Sequence, residues 1–179
     1  MSTTHTLLIK HDDCAESPRD WDNLGTLYAP HRTYRLSDEH AEDIRNDAGN
    51  IPDCYLYLNV YMYEHGGIAL NTSGFSCPWD SGQLGIIYVK KSDVLHERNR
   101  QRMSKKLEQQ IYKCLEAEVN TLSQYLNGEV FGYEYQEVTE SGEVIQEDSC
   151  WGFFGSDLEN NGMADQLPVK LSDCQVIYQ

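Results

Sequence analysis

The stretch CYLYLNVYMY, Cys54 to Tyr63, decides how this chain is read. Leu56, Leu58, Val60 and Met62 alternate with Tyr55, Tyr57, Asn59, Tyr61 and Tyr63. A period of two predicts a strand with aliphatics on one face and a tyrosine ladder on the other. Glu64-His65-Gly66-Gly67 carries hairpin-turn residues, and Ile68 to Asn71 reads as the return strand. From residue 54 to residue 87 the only charged side chains are Glu64 and Asp80, which marks this middle segment as the core.

Downstream, SGFSCPWDSGQLGIIYV, Ser73 to Val89, packs Cys, Pro, Trp, Asp and Gly ahead of a strand over Leu84 to Val89. A helical region starts at Ser92. Leu107, Ile111, Cys114, Leu115, Val119, Leu122 and Leu126 then recur at three- and four-residue steps, the spacing of an amphipathic helix over Lys105 to Leu126 closed by Asn127-Gly128. Val130 to Val138 alternates again, Glu140 to Glu143 turns, and Val144-Ile145 returns. Asp148 to Gly155 reads as a loop, Asp157 to Asp165 as loop or short helix, and Val169 to Tyr178 as a last strand.

Upstream, Thr4 to Ile9 and Thr26 to Tyr28 read as short strands separated by a loop over Cys14 to Gly25. Ser37, followed by Asp38, Glu39, Glu42 and Asp43, has the composition of a capped helix running to Asp47. This order predicts one α+β domain over residues 1–179. Its antiparallel sheet has about five to seven strands and carries one long amphipathic helix and a short helix.

The chain has 179 residues, long enough for a substantial core. No segment approaches the ~18 apolar residues that span a bilayer. The first residues lack a basic start followed by a long apolar run, so no signal peptide, no membrane association and a cytoplasmic location are expected. The six cysteines are evenly spread with no Cys-x-x-Cys pair, which predicts free, mostly buried thiols and no structural metal. Phosphate-binding Gly-x-x-x-x-Gly-Lys-Ser/Thr and nucleophile-elbow Gly-x-Ser-x-Gly motifs are both absent, so nucleotide hydrolysis and serine esterase chemistry gain no support; no cofactor is expected.

Net charge is −15, unevenly placed. Lys90, Lys91, Arg98, Arg100, Arg102, Lys105, Lys106 and Lys113 form a basic segment between acidic flanks. From Cys114 to Val169 there are acids and neither Lys nor Arg. Overall, nucleic acid is repelled. The basic segment reads either as a solvated helix face or, with Tyr55, Tyr57, Tyr61 and Tyr63, as a stacking surface for single strands.

Three stretches place a Trp beside Gly: Trp21-Asp22-Asn23-Leu24-Gly25, Trp79-Asp80-Ser81-Gly82 and Cys150-Trp151-Gly152. In one reading Trp21, Trp79 and Trp151 wall a pocket to which Asp22, Asp80 and Cys150 bring polar chemistry. In the other, each Asp caps its own loop and each Trp closes the core, with Trp79 and Asp80 anchoring the joint that fixes the sheet. Cys77 or Cys150 could serve as a nucleophile if His65, His31 or His11 lay nearby. Asp12-Asp13 and Asp20 with Asp22 offer oxygen ligands to a cation, but Asp20-x-Asp22-Asn23-x-Gly25 lacks the downstream Glu of a calcium loop, so a solvated loop is expected there.

Read together, Arg19 to Gly25, Cys77 to Val89 and Asp148 to Gly155 resemble a family of small acidic proteins carried by phages and other mobile elements. Size and charge are also similar to those of anti-restriction proteins that mimic DNA. These likenesses imply a non-enzymatic protein that engages a host protein rather than nucleic acid, inhibiting a defence or DNA-processing factor by DNA mimicry. The expected contact residues are Glu116, Glu118, Glu129, Glu134, Glu137, Glu140, Glu143 and Glu147, a line of carboxylates without counter-ions. The alternative is an enzyme using the Trp-lined loops with Cys or Asp chemistry. The oligomeric state is left open.

Overall fold

A computed structural model describes residues 3–179. The α+β class holds, with eight strands in two four-stranded sheets rather than one. Strands β1 (Thr3–His11), β2 (Thr26–Tyr28), β3 (Tyr55–Glu64), β4 (Ile68–Asn71) and β5 (Ser81–Lys90) precede helices α1 (Lys91–Glu97) and α2 (Lys105–Leu126). Strands β6 (Val130–Thr139), β7 (Val144–Phe154) and β8 (Cys174–Tyr178) follow. The chain divides into two compact units, residues 17–126 and residues 1–16 with 127–179.

The 17–126 unit is built on the sheet β2-β5-β3-β4. Each of its pairings is antiparallel. The aliphatic face of β3, led by Leu56, Val60 and Met62, packs against Ile111, Leu115, Val119 and Leu122 of α2. Those four helix residues are at most 3 % exposed, and burial of each contributes about 2 kcal/mol. The tyrosine face of β3 stays half-exposed, with Tyr57 40 % exposed. α2 begins where the Ser104 hydroxyl accepts the Leu107 amide. It ends at Gly128, whose φ of 71° continues no helix.

Gly85 has a specific steric duty in β5. A Cβ there would run into the backbone of Tyr28 and Ala29, so the β2 edge approaches β5 this closely only over glycine. β3 and β5 also shift register between Val60 and Tyr61.

The expected helix from Ser37 to Asp47 does not form; the short helix is α1. Ser37 Oγ accepts the Ala29 amide at 2.9 Å, and Asp38 Oδ2 accepts the Leu27 amide at 2.8 Å. Both capping side chains are therefore spent on β2 and its continuation, and the segment stays non-helical.

The second unit is built on the sheet β7-β6-β1-β8. β1 pairs antiparallel with β6 and parallel with β8. Leu7, Ile9, Tyr133 and Tyr135 fill its core together with Leu158 and Met163. Residues 148–155, expected as a loop, are mostly strand: β7 runs on through Trp151 to Phe154. A register shift between Phe131 and Tyr133 lets this happen, with Gly152 at a φ of 87°.

Candidate functional site

The formal charge is not shared equally between the units. Residues 1–16 and 127–179 carry 14 acids against Lys10 and Lys170, a net −12; residues 17–126 carry 15 acids against 12 bases, a net −3. The acidic unit concentrates its carboxylates on the β6–β7 hairpin. Glu140, Glu143 and Glu147 are exposed, and Glu129, Glu134 and Glu137 are half-buried. Lys10 Nζ meets Glu134 Oε2 at 2.7 Å. Among the described residues it is the single base paired with a carboxylate in this unit. Gln136 Nε2 donates to Glu147 Oε1 at 2.9 Å, and Asn127 Nδ2 to Glu129 Oε1 at 2.8 Å.

One exposed carboxylate of the hairpin is engaged by a buried phenol. Tyr133 Oη donates to Asp148 Oδ2 at 3.0 Å. Burial and this hydrogen bond push the Tyr133 phenol up to about 12.

The remaining two predicted contact acids sit on α2, in the other unit. Glu116 is exposed. Glu118 is not: its side chain is 15 % exposed and committed to the loop over residues 19–25. It accepts Arg19 Nη1 at 3.0 Å and the Leu24 amide at 2.8 Å. Arg19 also donates through Nε and Nη2 to Asp38 at 2.9 and 2.6 Å, and through Nη2 to the Gly25 carbonyl at 2.7 Å. Burial alone lowers the Arg19 pKa, but the two carboxylates outweigh it and hold the guanidinium above its ordinary value. Sequence reading missed this joint. The one available signal was Arg19 itself, an isolated base within an acid-rich loop.

The tryptophans do not close a core. Trp21 is 47 % exposed, Trp79 90 % and Trp151 44 %. Asp22 is exposed, and Glu118 rather than Asp22 holds the Trp21 loop. Trp151 lays its ring over Gly132 of the neighbouring strand, where any Cβ would collide with it. Cys150, half-buried, packs against the acidic unit's core.

Trp79 and Asp80 do line an open groove of about 350 Å³ together with His31, Glu64 and Gln83. Asp80 Oδ2 lies 3.5 Å from both Cys77 Sγ and His65 Nδ1. Ser81 Oγ donates to the Cys77 carbonyl, and the Glu64 amide donates to the Asp80 carbonyl at 2.9 Å. Glu64 accepts Tyr34 Oη at 2.9 Å and stands 4.0 Å from His31 Nε2. His31 Nδ1 accepts the Thr33 and Tyr34 amides, which assigns the ring proton to Nε2, facing Glu64. The Glu64 carboxylate raises the Tyr34 pKa through its hydrogen bond and its charge. Trp79 and Asp80 thus line the groove, Cys77 and His65 touch it only through Asp80, and neither Trp21 nor Asp22 lines it.

The cation-binding and stacking readings gain no geometry here. Asp12 Oδ1 accepts the Cys14 amide at 3.2 Å, and no three His, Cys, Asp or Glu side chains among the described residues are arranged to hold a metal ion. Lys91 Nζ donates to the Asp53 carbonyl at 2.6 Å, and Lys90, Arg98, Arg100, Arg102, Lys105, Lys106 and Lys113 are exposed. Among the described residues no helix is long and apolar enough to cross a membrane. Compared with protein-family profiles, with curated proteins and with solved structures, the chain matches none.

Proposed function

We propose that this is a non-enzymatic acidic binding protein of a phage or mobile element. Its acidic unit engages a cationic host protein, and by covering a surface that otherwise meets phosphates it inhibits a defence or DNA-processing factor. The observation that supports this reading is the net −12 gathered on one sheet unit, where only Glu134 meets a base among the described residues. Such a surface steers cationic partners and repels nucleic acid, and its attraction is screened by salt. Affinity capture from host lysate, followed by titration of the captured protein against salt and duplex DNA, tests it. Affinity is expected to fall steeply with salt, and duplex DNA to compete. Salt-insensitive binding, or unchanged binding by the combined Glu140→Gln, Glu143→Gln and Glu147→Gln variant, defeats the reading.

A second reading, an enzyme using Cys or Asp chemistry at a Trp-lined pocket, draws on the meeting of Cys77, Asp80 and His65 beside the Trp79 groove. In it the Cys77 thiol is the nucleophile, and Asp80, in contact with His65, takes its proton. Alkylation by iodoacetamide across pH distinguishes this from a passive thiol. If Cys77 reacts no faster than the exposed Cys14, or if Asp80→Asn leaves its rate unchanged, the enzymatic reading is lost.

A further inference from the structure

We infer that the outer edge of β7 is a strand-addition site for an extended, Lys- or Arg-bearing segment of the partner protein. The inference rests on the acidic-binding reading above and specifies how the contact is made. Among the described residues β7 stands at the end of its sheet and pairs only with β6. At 11 residues it is the longest strand among the described residues, and it occupies an edge. The edges of the other sheet are the three-residue β2 and the four-residue β4, the short form that ordinarily protects an edge. β7 holds no Pro and no Lys, the residues that most often block edge pairing.

The backbone of β7 is available where its side chains are most exposed. Every residue from Val144 to Ser149 is exposed. The Ser149 amide takes its own neighbour's carboxylate, Asp148 Oδ1, at 2.9 Å, so it is directed away from β6. Alternation along an antiparallel pair turns the backbone of Glu147, two residues back, the same way. Among the described residues no segment other than β6 bonds to the backbone of residues 145–153.

Charge selects the occupant. Glu143, Glu147 and Asp148 flank this edge within a unit of net −12, so a second copy of β7 is repelled and a cationic strand is attracted. Exposed Val144 (44 %) and Ile145 (53 %) give apolar contact to the alternate residues of an added strand. Main-chain hydrogen bonds then supply affinity, and the basic side chains supply selectivity.

The test uses the full chain and a peptide that alternates Lys and Val, with two isomers N-methylated on either the even or the odd backbone amides. Strand addition predicts that one isomer binds about tenfold or more weakly than the parent while the other binds like it, because only one set of amides faces β7. The parent peptide should shift the backbone amide resonances of residues 144–151. Ser149→Pro, which leaves the charge unchanged and alters an amide not given to β6, should match the weaker isomer; its fold is checked by circular dichroism. Equal affinities of the two isomers overturn strand addition while leaving the acidic-binding reading intact. If neither the peptides nor any folded cationic protein binds, the acidic-binding reading itself fails. Should Ser149→Pro not fold, the two N-methyl isomers decide alone.

Discussion

Glu118, on the long helix α2, accepts the guanidinium of Arg19 at 3.0 Å across 99 residues of chain. Its other oxygen receives the Leu24 amide, while Arg19 reaches on to Asp38. One ion triad therefore ties the 19–25 loop, the segment after β2 and the helix that covers the sheet. Side-chain exposures of 11, 15 and 22 % for Arg19, Glu118 and Asp38 put it largely out of solvent.

Removing the cation should leave two half-buried carboxylates uncompensated. Arg19→Ala is expected to destabilise the protein by about 2–4 kcal/mol, with a strong coupling to Glu118→Gln in a double-mutant cycle. Denaturant unfolding measures both. A loss below about 1 kcal/mol would mean that the triad is incidental.

Gly85 should tolerate no side chain. In Gly85→Ala the new methyl meets the Tyr28 and Ala29 backbone, so the β2–β5 pairing must open. A cost of about 3 kcal/mol and faster hydrogen exchange of the residue 26–28 amides are expected. Unchanged exchange there contradicts the close approach.

Trp79→Ala tests the opposite case. With the ring 90 % exposed, stability should change by no more than about 0.5 kcal/mol, whereas a core-closing tryptophan costs several. A thermal melt decides between them.

Tyr133 predicts a pH dependence of stability. The phenol is held neutral in the folded chain up to about 12, while in the unfolded chain it ionises near the ordinary ~10. Above pH ~10 the unfolded chain therefore carries fewer protons than the folded one, so stability falls as pH rises. The contribution is complete below ~10 and is lost as pH rises through about 12. Tyr133→Phe should flatten this alkaline loss and, through the missing bond to Asp148, cost about 1 kcal/mol at neutral pH. An identical alkaline slope in the variant refutes it.

Patterns with a local cause were legible before any coordinates. The alternation in β3, the three- and four-residue steps of α2 and the turns after Glu64 and Thr139 all appear within a residue or two of their expected places. Solvent imposes those periods on each element separately, so neighbours in sequence suffice to reveal them. The Ser37–Asp47 segment fails the same test because Ser37 and Asp38 answer to Ala29 and Leu27, partners that no local pattern names.

The candidate site divides along the same line. That the region after Cys114 carries acids unopposed by Lys or Arg as far as Val169 follows from the order of residues alone. Which of those acids face solvent does not. Glu118 and Glu116 are two residues apart on one helix, yet one is drawn inward by Arg19 and the other is exposed. Tertiary pairing alone also split the strands into two sheets, left β7 at an edge and gathered a net −12 around it. β1 joins β6 across more than a hundred residues, and such register is set by long-range packing and hydrogen bonding that a single stretch of sequence does not encode.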